Sequence, residues 1–214
     1  MDEATRSFYD RWARVYDPVA RMTPGVANAR RAAVDALALP PGATVVEVGC
    51  GTGANLRALR DAVGPDGRVV GVDAARGMLS LARRRAPRDV ACVLGDAVRP
   101  PICGPVDGVL ASFVTGVVGD PRAAVASWWR LLRRGGRLVI LEATTSDRPV
   151  GRLANPLFRA LVRAGAPDRP SGAACALDAA VEAAHDAARE RAAVTAERRT
   201  LGGFLSTFVA ETPS

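Results

Sequence analysis

The chain contains no lysine; all 29 of its basic residues are arginine. That absence removes the Tyr–Lys pair on which many nicotinamide dehydrogenases depend. Histidine is nearly missing too, represented by His185 alone, and the four cysteines, Cys50, Cys92, Cys103 and Cys175, show no paired spacing. No metal site is expected from such a set, and the thiols read as reduced and buried, as in a cytoplasmic protein. Aromatic residues make up 5% of the chain. A nucleic-acid interface calls for clustered basic residues interleaved with aromatics. Here the arginines are dispersed, so the net charge of +7 reads as a solvated surface and no nucleic-acid partner is expected. No apolar run reaches the roughly 18 to 20 residues of a membrane span. The opening Met-Asp-Glu-Ala-Thr-Arg lacks the basic start and apolar core of a secretory signal. With 214 residues, 49% of them hydrophobic, the chain suits one domain with one filled core.

What is present is concentrated in Val45-Val-Glu-Val-Gly-Cys-Gly-Thr-Gly53. A short β-branched run without polar alternation is the pattern of a parallel strand buried on both faces. Gly49, Gly51 and Gly53 then let the chain turn and a ligand approach the backbone. Residues 54–62 have helical composition, so the unit is strand, glycine loop and helix, with a helix N-terminus facing the loop. Gly49, Gly51 and Ala54 formally satisfy the dinucleotide pattern, which alone does not name the nucleotide. Further buried-strand runs follow at 68–73, ending in Asp73, at 90–94, followed by Gly95-Asp96-Ala97, at 106–111, and at 137–142 after Arg133-Arg-Gly-Gly136. An acid 20 residues beyond Gly53 is placed to bind ribose hydroxyls.

Taken in this order, the motifs resemble the class I S-adenosylmethionine (SAM) methyltransferase family over roughly residues 43–142. The family's acid and Gly-x-Gly-x-Gly correspond to Glu47, Gly49, Gly51 and Gly53. Its strand-closing acid corresponds to Asp73 and its adenine-side acid to Asp96 with Ala97. Its Gly-Gly turn corresponds to Gly135 and Gly136. Asp73-Ala74-Ala-Arg-Gly-Met78-Leu79 and Tyr9-Asp-Arg-Trp-Ala-Arg-Val-Tyr16-Asp17 look most like the quinone C-methyltransferase and phospholipid N-methyltransferase group. The resemblance implies a Rossmann-like, mostly parallel seven-stranded sheet with helices on both faces and a C-terminal antiparallel hairpin, an α/β fold. It implies a helical cap at 1–42, a SAM-binding core at 43–142, a lid or substrate segment at 143–192 and the hairpin at 193–214.

The implied cofactor is SAM. Glu47 is expected to hold its ammonium, Asp73 and Ala74 the ribose, and Asp96 and Ala97 the adenine amino group. Met78 either covers the adenine face or fills the core. Tyr9 and Tyr16 either close the carboxylate end or pack. Ser112, with Phe113, is expected beside the path from methyl to acceptor. No acid–base residue is assigned; His185 reads as a packing or surface residue. The expected partner is a small-molecule or lipid-like acceptor, and the oligomeric state is left open. A nucleic-acid methyltransferase, or a SAM-binding protein running another reaction, stands as the alternative. Residues 148–165 carry Val150, Leu153, Leu157 and Leu161 at helical spacing, with Arg152, Arg159 and Arg163 on an adjoining face. Such a helix either packs on the domain with its arginines in solvent, kinked or begun at Pro156, or makes peripheral contact with an anionic membrane.

Overall fold

The computed structural model describes residues 25–164 and 172–214. The first part of the expected helical cap, with Tyr9 and Tyr16, lies outside the described residues. The elements run α1 (Val26–Ala36), β1 (Thr44–Val48), α2 (Leu56–Val63), β2 (Arg68–Asp73), α3 (Arg76–Arg85) and β3 (Ala91–Leu94). They continue with β4 (Val106–Ser112), α4 (Pro121–Leu131), β5 (Leu132–Ala143), α5 (Pro149–Ala164), α6 (Ala173–Arg189), β6 (Val194–Thr200), a 3-10 turn (Leu201–Gly203) and β7 (Leu205–Glu211).

The seven strands form one sheet in the order β3-β2-β1-β4-β5-β7-β6. The first five are parallel, whereas β7 runs antiparallel to β5 and to β6. Alternation along each strand splits the core into two layers. Val46, Val109, Leu138 and Ile140 face α4 and α6, while Val45, Leu110, Val139 and Leu141 face α1, α2 and α3. Helices therefore cover both faces, as the uninterrupted apolar strands require. Local sequence sets the helix ends: α4 opens with Pro121 at its first turn, and the Asp120 side chain accepts the Ala123 N–H at 3.0 Å. In α2, Leu56, Leu59 and Val63 form the buried stripe.

Residues 95–105 cross from β3 to β4 as irregular chain. Three expectations need correction. Strand β5 begins at Leu132 rather than near 137, because Val106 pairs with Leu132 across an irregular register before the Gly135-Gly136 turn. Helix α5 runs through Pro156 without breaking. Of the thiols, Cys50 is buried and Cys92 half-buried, but Cys103 and Cys175 are exposed, so burial describes only part of the set.

Candidate functional site

The strand order reverses between β1 and β4, and the carboxyl ends of β2, β1 and β4 converge there. A crevice opens at such a switch point because the connections leave in opposite directions. Glu47 lies opposite Gly71 in β2 and Leu110 in β4, so the chain ends that follow carry Gly49, Asp73 and Ser112 to one edge. Leu94 lies opposite Asp73, which sets Asp96 two residues further along the same edge.

The three glycines do different work. A Cβ on Gly49 would lie 2.5 Å from Val114 Cγ2, and one on Gly53 would lie 3.2 Å from the Ala82 Cα, so these two serve close packing. Gly51 has a φ of +54° and open space where a Cβ would project. Its N–H donates to Asp73 Oδ2 at 2.8 Å, and Asp73 Oδ1 accepts the Ala75 N–H at 2.8 Å. Asp73 thus ties the glycine loop to the start of α3.

Glu47 is only 1% exposed. Its Oε1 accepts the Asn55 Nδ2–H at 2.6 Å, while Oε2 has no partner among the described residues. Burial pushes the carboxyl up to about 7, offset in part by Asn55 and by the Arg30 guanidinium. Arg30 donates to Asn55 Oδ1 at 3.3 Å and to Ser112 Oγ at 3.2 Å, and its guanidinium lies 4.9 Å from the Phe113 ring centre. One network therefore links β1, α2, α1 and the end of β4.

Behind it stands Glu142, 2% exposed, at the end of β5. Its Oε1 accepts the N–H groups of Val114 and Thr115 at 2.8 and 2.7 Å. This fixes the loop after Phe113, a non-glycine residue held at a φ of +56°. Burial raises the Glu142 carboxyl to about 7, against the pull of these N–H donors.

Residues 46–140 match the family described as "Methyltransferase domain". The chain is 41% identical over 118 residues to demethylmenaquinone methyltransferase of Beutenbergia cavernae, covering 54% of this chain and 47% of that protein. It is 37% identical over 143 residues to nocamycin O-methyltransferase of Saccharothrix syringae, covering 61% and 48%. The matched stretch thus spans about half the length of these relatives. A solved SAM-dependent methyltransferase of Thermotoga maritima superposes with a TM-score of 0.68 at 18% identity, over 96% of this chain and 98% of that one, a likeness of fold. Residues 46–140 thus match a methyltransferase domain, and the chain shares the fold of a solved SAM-dependent methyltransferase.

S-adenosylmethionine is the cofactor this domain implies, and the residues present fit it. The partnerless oxygen of buried Glu47 suits an ammonium group, Asp73 suits a ribose diol, and the free space over Gly51 admits a ligand against the backbone. The remaining expected residues fall around the domain in different settings. Ala74 is half-buried beside Asp73, and Met78 is buried against Ala75, with Leu81 packed alongside. Asp96 is exposed and accepts the Val98 N–H at 2.9 Å, while the buried Ala97 offers its carbonyl to Trp128 Nε1 at 2.6 Å. His185 belongs elsewhere: it is buried between α6 and β7, stacked on Phe208 at 4.4 Å between ring centres. Desolvation lowers its pKa to about 4, so it packs as a neutral ring. Helix α6 likewise lies on the sheet face against α4, rather than over the strand ends. Arg30, Asn55 and Glu142 were not legible from motifs. Asn55 at the start of the helix after a glycine loop was the one available signal, since an amide there reaches back to the strand.

Proposed function

We propose that this chain transfers a methyl group from SAM to a small organic or lipid-like acceptor. The observation that carries the reading is the partnerless oxygen of buried Glu47, in the strand that leads into the loop where Gly51 keeps an open face and binds Asp73. The cofactor, when bound, supplies an activated methyl on a sulfonium centre. The chain's own task is then to bind, orient and exclude water. The Asp73 carboxylate would accept from the ribose hydroxyls, and Glu47 Oε2 from the ammonium. Ser112 and Phe113 face the acceptor side, held by Arg30 on one flank and by the Glu142-fixed loop on the other. Positioning of this kind can contribute on the order of 7–11 kcal/mol without an acid–base residue.

The names of the relatives make quinone-like rings the first acceptors to try, with oxygen acceptors next. Calorimetry with SAM and with S-adenosylhomocysteine tests the cofactor. Transfer of labelled methyl from SAM to reduced naphthoquinones and to hydroxylated ring compounds tests the acceptor. Absence of binding by either cofactor form overturns the reading.

A further inference from the structure

Among the described residues, the contacts named for helix α5 gather along one side. Asn155 accepts the Ser146 N–H at 2.9 Å and returns its own amide to the Ser146 carbonyl at 3.0 Å. A Cβ on Gly151 would lie 2.5 Å from the Gly202 carbonyl, so the helix rests directly on the 3-10 turn there. Phe158 packs on Phe204 with ring centres 5.2 Å apart. The opposite side bears Val150, Leu153, Leu157 and Leu161, exposed by 83, 85, 66 and 63%. At 100° per residue these four span about 80° of arc, one continuous stripe. They account for four of the seven large hydrophobic side chains exposed among the described residues, gathered on one helix. An apolar stripe that the fold does not bury marks an interaction surface.

The charges beside it select the partner. Arg152, Arg159 and Arg163 are exposed on the neighbouring arc, Arg148 precedes the helix, and α5 carries no acidic residue. Asp147, just before, lies 3.8 Å from Arg199, its ion-pair partner on β6. A second copy docked antiparallel on this face about a two-fold axis would bring these arginines to the same flank as their own equivalents, like charge beside like. An anionic bilayer presents the complement on both counts: acyl chains for the aliphatic stripe and phosphates for the guanidinium groups, whose long stems reach the interface from the adjoining arc. We propose that the Val150–Leu161 face of α5 docks on an anionic lipid surface, with Arg152, Arg159 and Arg163 engaging its headgroups.

Co-sedimentation with vesicles of phosphatidylcholine alone, and of phosphatidylcholine mixed with phosphatidylglycerol, tests this directly. The full chain is expected in the pellet with the mixed vesicles at low salt, released as salt rises, and in solution with phosphatidylcholine alone. The double variant Arg159→Glu and Arg163→Glu should bind at least about 25-fold more weakly, near fivefold per arginine. The pair Leu153→Ser and Leu157→Ser should lose binding while its unfolding transition stays in place, because both side chains are already in water. Asp73→Ala should pellet like the parent, which separates this proposal from the cofactor reading. Failure of the parent chain to bind mixed vesicles at low salt, or binding by either double variant equal to the parent's, overturns it. So does a parent dimer that the leucine variant dissolves without any vesicle binding, since the stripe then belongs to a second copy.

Discussion

Replacing Glu47 by Gln isolates the charge from the shape. The glutamine carbonyl can still accept the Asn55 amide that Glu47 Oε1 accepts at 2.6 Å, but nothing at the position titrates. In the parent, burial holds the carboxyl near 7 against an ordinary 4.5. The folded state therefore favours the protonated form. Stability from this residue is full below pH 4.5 and is lost as pH rises through 7, by about 3 kcal/mol at roughly 1.4 kcal/mol per pH unit. Glu47→Gln should not lose this increment, so the difference between variant and parent should shift by up to about 3 kcal/mol between pH 4.5 and 8. Packing differences that do not depend on pH cancel in that comparison. Cofactor binding should move the other way. An ammonium on Oε2 favours the carboxylate, so the parent's SAM affinity should rise toward pH 7 and binding near pH 6.5 should release a proton. The variant should bind roughly 10- to 150-fold more weakly, the worth of one charge-assisted hydrogen bond of about 1.5–3 kcal/mol. Denaturant unfolding across pH, with titration calorimetry in buffers of differing ionisation enthalpy, reads both effects. Identical pH slopes in the two proteins, together with unchanged SAM affinity, would refute the reasoning.

Asp73→Ala removes the acceptor of the Gly51 and Ala75 N–H groups as well as of the ribose, so SAM affinity should fall at least tenfold and stability by about 2 kcal/mol or more; calorimetry showing unaltered affinity contradicts the assignment. Gly51→Val puts a branched side chain at a φ of +54° into the ligand's space, costing about 1–2 kcal/mol of stability while abolishing SAM binding, and near-normal turnover would show that the loop cradles nothing. Glu142→Gln weakens the nest holding Val114 and Thr115, so steady-state kinetics should show kcat reduced about tenfold or more with SAM affinity largely kept; an unchanged kcat would mean the loop does not position the acceptor. His185 stays neutral when folded down to about pH 4 but ionises near 6.5 when unfolded, so its contribution is present above 6.5 and lost as pH falls toward 4. His185→Leu should accordingly shift acid unfolding to lower pH without altering methyl transfer, as followed by circular dichroism.

How much could be read in advance divides along a physical line. Strand positions and the hairpin were legible because apolar runs at 45–48, 68–73 and 106–111 can be satisfied only by a sheet covered on both faces. The nucleotide loop was legible because Gly49, Gly51 and Gly53 state a backbone requirement in the sequence itself. Local chemistry of that kind is written in consecutive residues. What assembly alone decided is which side chains meet across the chain. Arg30 reaches Asn55 and Ser112 from 25 and 82 residues away, and Glu142 finds the Thr115 N–H across 27. No spacing rule encodes such encounters, since they depend on the order in which β1, β4 and β5 pair. The helical period of 150–161 is plain in the sequence, yet whether that stripe faces a core or water depends on which side of α5 meets Ser146 and Phe204. The same holds for His185, whose place against Phe208 rather than at the strand ends was set by where α6 packs on the sheet.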